Sequence, residues 1–212
     1  MQCPNVHRRM DAVKRSLRVQ KDLLISAAQL KAAPTYLPVA YCGTLAGFVR
    51  GFDMIRLKAV DAQNLWELMR LRVRPEQEDF VARNLESIAE AYVTEHDGKV
   101  ALPFGIYADD VPVGFVMFGY GVVDSEDDPP VADGNYCIWR FMIAAEHQGK
   151  GYAKAALQTA LDYLRSNPCG AAEYCWLSYE PENTAAKALY HRFGFRENGQ
   201  RSGDEIVAVL KL

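Results

Sequence analysis

Apolar and polar positions alternate with two periods along this chain. Met54 to Val60 repeats every second residue and predicts an edge strand. Asp61 to Arg72 places Leu65, Leu68 and Met69 at helical spacing behind Asp61, a residue suited to capping. Glu76 to Val93 repeats Phe80, Val81, Leu85, Ile88, Ala89 and Tyr92 at helical intervals and predicts a second helix. Leu102–Tyr107 and Val113–Tyr120 read as strands around the turn pair Asp109-Asp110, a hairpin signal. Tyr136–Ile143 is a short apolar run and predicts a strand. Residues 151–165 set Ala153, Ala156, Leu157, Ala160, Leu161 and Leu164 on one helical face. Then come a strand at Tyr174–Tyr179, a helix at Asn183–Phe193 with Asn183 as N-cap, and strands at Phe195–Asn198 and Glu205–Leu210. This alternation predicts an α/β or α+β fold with helices on both faces of a mixed sheet.

Residues 1–53 follow a different pattern. Met10, Val13, Leu17, Leu24 and Ala28 fit a basic amphipathic helix, and after Pro34 the periodicity dissolves. This stretch carries 8 Lys and Arg against 3 Asp and Glu, a balance of +5, whereas residues 54–212 carry 16 against 24, a balance of −8. The break at Asp53/Met54 divides the chain into an N-terminal extension, 1–53, and a domain, 54–212. An over-long gene model, a genuine extension and a cleaved targeting segment all remain open for the first part.

The acidic domain disfavours nucleic acid as partner and favours a cationic small molecule. No run approaches the roughly 18 apolar residues of a membrane span. Five scattered cysteines show neither metal spacing nor a disulfide framework, so no metal and a reducing, cytoplasmic setting are expected. A homodimer stays open.

The strongest chemical signal is Gln148-Gly149-Lys150-Gly151-Tyr152-Ala153, between a predicted strand and a predicted helix. The first N–H groups of a helix lack intrahelical acceptors, and its dipole adds positive potential there. Gly151 permits close approach of a phosphate, Gly149 permits a turn dihedral that other residues resist, and Lys150 adds charge. The long spacing of the P-loop and the GxGxxG of dinucleotide folds are both missing, which points to another phosphate-bearing cofactor.

Gln148-x-x-Gly151-x-Ala153 resembles the pyrophosphate loop of the GNAT superfamily of N-acetyltransferases. Its companions are Asn183-Thr-Ala-Ala186-Lys187-Ala-Leu189-Tyr190 and Phe193-Gly194-Phe195, one helix and one strand further on. Trp139 to Ile143 and Leu177 to Asn183 look closer still to the bacterial spermine/spermidine (diamine) acetyltransferases. The resemblance covers 54–212. It implies the GNAT acyl-CoA N-acyltransferase fold, with a mostly antiparallel sheet, and acetyl-CoA as cofactor.

It further implies that Phe141, Met142 and Ile143 donate backbone contacts to the pantetheine arm from a β-bulge. The turn 148–153 would hold the pyrophosphate. Asn183, Ala186 and Lys187 would lie along the cofactor, and Tyr190 would be the general acid toward the thiol. Ordinary roles stay open for several of these: a cap for Asn183, a solvated charge for Lys187, core packing for Tyr190. No acid stands at the positions on the Tyr136–Ile143 strand where relatives carry a base, which leaves Glu180 as the candidate base or a plain surface carboxylate. Glu78 and Asp79, together with Glu180, are candidates to bind a polyamine or diamine acceptor. The acidic loop Asp124-Ser-Glu126-Asp127-Asp128 would assist or simply be solvated. An aminoglycoside-like drug or a protein N-terminus is the alternative acceptor, and an acyl-CoA-binding sensor the non-enzymatic reading.

Overall fold

The computed structural model describes residues 46–48, 54–123 and 128–212. The helix expected near residues 10–28 and the acidic tip 124–127 lie outside them. One sheet of eight strands runs in the order β1-β2-β3-β4-β5-β6-β8-β7. The strands are β1 (Ala46–Phe48), β2 (Met54–Ala59), β3 (Val100–Ala108), β4 (Val111–Tyr120), β5 (Tyr136–Ile143), β6 (Tyr174–Tyr179), β7 (Arg196–Ser202) and β8 (Glu205–Lys211). All neighbours are antiparallel except β5 and β6. Among the described residues the α-helices are α1 (Leu65–Leu68), α2 (Asn84–His96), α3 (Tyr152–Arg165) and α4 (Thr184–Arg192).

Alternation along the sheet produces two cores. On one face Phe115, Met117 and Met142 meet Ala91 and Ile88 of α2. On the other, Phe104, Val116 and Phe118 meet Leu157, Leu161 and Leu164 of α3. The β3–β4 hairpin turns at Asp109, whose φ of 52° is the left-handed conformation that Asp tolerates.

Three expectations are corrected. Met54–Ala59 is not an edge strand, because β1 pairs with it. The helix expected over 61–72 shrinks to α1. Its N-cap is Asn64 rather than the expected Asp61. Asp61 instead closes the turn before the helix, its Oδ1 accepting from the Gln63 and Asn64 N–H groups at 2.8 and 3.0 Å. At the other end the Asn84 side chain donates to the Leu68 carbonyl at 2.8 Å, and the Arg72 guanidinium donates to the Met69 and Leu71 carbonyls. These side chains satisfy the terminal carbonyls that a further turn would have used. Finally, the helix expected over 76–93 is two elements. A 3₁₀ turn, Pro75–Gln77, is followed by a loop, and α2 starts afresh at Asn84, where Glu86 reaches back to accept from the Arg83 N–H at 3.2 Å.

Candidate active site

β5 and β6 begin as parallel partners and then separate. Only Tyr136↔Cys175 and Cys137↔Trp176 pair, although both strands continue. The Ala144 N–H donates to the Val113 carbonyl of β4 at 2.9 Å. By alternation Met142 faces β4, while the amides of Phe141 and Ile143 face the gap toward β6. A cleft edged by backbone groups of Phe141 and Ile143 therefore opens beside the end of β5.

The β-bulge expected at Phe141–Ile143 lies earlier. Met117 pairs with Arg140 and Phe118 with Ile138, so Trp139 is the extra residue. The insertion lets the Trp139 ring pack against two core clusters at once. Phe141, Met142 and Ile143 pair regularly with Val116, Phe115 and Gly114. Their free edge comes from the divergence of β6.

The cleft leads to the turn before α3. Gly149 and Gly151 have φ of 78° and 90°, a region that L side chains avoid. A side chain at Gly149 would meet no atom within 4 Å, so its backbone lies open. Gly151 is the N-cap and brings no capping side chain to the first-turn amides of α3. Lys150 is exposed beside them. This cradle suits a phosphate, and the edge of β5 suits an extended amide chain, so the residues fit acetyl-CoA. Gln148 is turned inward, where its side-chain amide donates to the Ile143 carbonyl at 2.9 Å and to Gln77 at 2.7 Å.

α4 meets β6 through Tyr190, whose ring centroid lies 6.0 Å from that of Tyr179. The Asn183 Oδ1 accepts from the Ala186 N–H at 3.1 Å, so Asn183 caps α4 and only its amino group remains for a ligand. Lys187 is engaged by Glu197 at 2.8 Å. Tyr190 is 7% exposed, with Tyr179 and Phe195 against its ring. Its hydroxyl has no hydrogen-bond partner among the described residues. Burial first, and then the charge of Glu205, push its proton affinity well above that of ordinary tyrosine.

Glu180 directly follows β6 and is half-buried. Burial, and then the charges of Glu205, Glu182 and Asp204, raise its carboxyl above the usual range. Glu78 and Asp79 are exposed in the loop after the 3₁₀ turn.

Sequence reasoning missed Glu205. It accepts a short hydrogen bond from the Ser178 hydroxyl, and its charge reaches both Glu180 and Tyr190. Nothing local singles it out. Only the register Tyr179↔Ile206 brings the start of β8 to the end of β6.

A glycine-bearing strand-to-helix turn beside diverging parallel strands, with a buried tyrosine packed on β6, suits an acyl-CoA-dependent acyltransferase. The model of the acetyltransferase (GNAT) family matches residues 77–195. The chain belongs to that family of N-acetyltransferases. It is 30% identical over 162 residues to the spermine/spermidine N(1)-acetyltransferase of Bacillus subtilis (strain 168), covering 74% of this chain and 99% of that relative. Among solved structures, the aminoglycoside acetyltransferase AAC(6')-Ib in complex with coenzyme A superposes with TM-score 0.59 at 17% identity, over 74% of this chain and 94% of that one. Mycobacterium smegmatis RimJ in complex with CoA-disulfide superposes with TM-score 0.55 at 20% identity, over 74% and 82%. Among the described residues no helix is long and apolar enough to cross a membrane.

Proposed function

We propose that the protein transfers acetyl from acetyl-CoA to a primary amine of a polyamine or diamine such as spermidine or spermine, by direct attack in a ternary complex. The observation that carries this reading is the convergence of Glu180, Glu182, Asp204 and Glu205, close enough to raise the Glu180 carboxyl. A rim of carboxylates just past the end of β6 suits an acceptor with several ammonium groups. Glu78 and Asp79 add exposed negative charge on the acceptor-side loop.

Acetyl-CoA supplies an activated thioester. The turn 148–153 holds its phosphates through backbone N–H groups, and the edge of β5 at Phe141–Ile143 holds its amide arm. An aliphatic amine with pKa about 10 is neutral in only about one part in a thousand at pH 7, so a group must take its proton. Glu180 is that group, directly or through water, because its raised pKa brings it nearer to neutrality than a solvated carboxylate. Tyr190 keeps its proton through neutral pH and delivers it to the sulfur side of the reaction.

A second reading shares the site. An aminoglycoside is also a polycation, and the same carboxylate rim would attract it. The experiment is an acceptor panel scored by thiol release. Spermidine and spermine should be acetylated much faster than a neutral-tailed monoamine of similar length. Added salt should raise the apparent acceptor KM, since exposed charges are screened within about 10 Å at 0.1 M. Preference for kanamycin would shift the assignment to the second reading. Equal use of the neutral amine, without salt dependence, would end both.

A further inference from the structure

The segment 72–77 is fastened at two points to residues 145–148, which lead into the cofactor loop. The Ala145 N–H donates to the Arg72 carbonyl at 2.8 Å. Five residues later, the Gln77 Oε1 accepts from the Gln148 side chain at 2.7 Å and from the Arg74 N–H at 3.2 Å. Gln148 donates its second amide hydrogen to the Ile143 carbonyl at 2.9 Å.

The orientation of this network is not free. A main-chain carbonyl only accepts, so the Gln148 amino group faces Ile143. A main-chain N–H only donates, so Gln77 must present oxygen to Arg74. One amide oxygen thus joins the acceptor-side turn, the cofactor loop and, through Gln148, the last residue of β5. Glu78 and Asp79 follow directly in the chain.

The geometry points to Gln77 as a positioning residue. It transmits order from the cofactor loop to the segment 72–83, so that donor and acceptor sites are coupled. This rests on the cofactor placement above and is independent of which amine is the acceptor. Phosphates seated on the turn 148–153 fix Gln148, and Gln148 then fixes Gln77 and the carboxylates next to it. The coupling is reciprocal, as any coupling between two binding events must be.

Hydrogen exchange in the full-length protein, with and without coenzyme A, tests it. In the wild type, coenzyme A should slow exchange at the Arg74 amide and across residues 72–83. Gln77→Met keeps the bulk and removes the acceptor, and should abolish that slowing with circular dichroism unchanged. Gln77→Glu restores an oxygen acceptor for both donors and should retain it. In turnover, Gln77→Met should raise the acceptor KM roughly five-fold, toward the low end of measured site-to-site coupling, with kcat little changed. Slowing that persists in Gln77→Met, or is lost equally in Gln77→Glu, would overturn the assignment. A wild type that binds coenzyme A without slowing at Arg74 would overturn it too. The exchange readings need no acceptor at all, so a wrong acceptor and a wrong tether give different results.

Discussion

The Tyr190 ring stands edge-on to Phe195, with centroids 5.8 Å apart and planes inclined by 62°. The Phe195 N–H also donates to the Tyr190 carbonyl at 3.2 Å. Ring and backbone are thereby held without use of the hydroxyl, which is left for chemistry.

Tyr190→Phe therefore preserves the packing and removes only the hydroxyl that carries the proton. Turnover should fall roughly 10²-fold or more, as for other lost general acids, with acetyl-CoA affinity by calorimetry nearly unchanged. Turnover near the wild-type rate would assign Tyr190 to packing.

The pH profile should carry two signatures. A base works when deprotonated, so activity should be lost as pH falls through the raised pKa of Glu180, above the ordinary carboxylate value. An acid works when protonated, and Tyr190 is pushed up, so it should set no alkaline limb below the ordinary tyrosine value near 10. Glu180→Gln should lower kcat and remove the acidic limb. An acidic limb unchanged in that variant would place the base elsewhere, with Glu205 next to be tested.

Gly151→Val forces a β-branched residue to φ near 90°. Strain of this kind costs on the order of 1–3 kcal/mol. The melting temperature should fall by several degrees, and acetyl-CoA binding should be lost while circular dichroism at low temperature stays native. Unchanged affinity would separate this turn from phosphate binding.

The boundary at Met54 is a further expectation open to measurement. A chain starting there gives up the three-residue β1 and leaves the outer edge of β2 unpaired. It should still fold, with kinetics unchanged and melting within a few degrees of the full chain, because among the described residues the core clusters lie within 55–212. Insolubility, or a larger loss, would make part of 1–53 integral to the domain.

Strong local signals survived folding intact. Tyr136–Ile143 and Tyr174–Tyr179 are strands with the expected bounds, and Asn183 caps its helix as anticipated. Each has its cause within a few residues: an unbroken apolar run, or an amide placed before a helical face. The segment 61–93 was less legible. Its helical periodicity is real, but Asn84, Arg72 and Glu86 supply caps that divide it, and periodicity does not register where a side chain ends a helix.

The site divides along the same line. Gly149 and Gly151 were legible because their dihedrals are local. The free edge of β5 was not, because it depends on β6 turning away. Glu205 and Gln77 act across register and loop contacts that join residues far apart in the chain, and no window of sequence contains them.

The divergence of β5 from β6 has a thermodynamic corollary. A sheet that leaves amides of Phe141 and Ile143 unmatched is completed by whatever extended amide lies beside them. Donor concentration then becomes a stabilising variable of the protein itself. At a hundred-fold excess over its dissociation constant, a ligand that binds only the native state adds about 2.7 kcal/mol. The melting temperature of this enzyme should therefore report the supply of acetyl donor, and a chain starved of it would be the more readily unfolded and degraded.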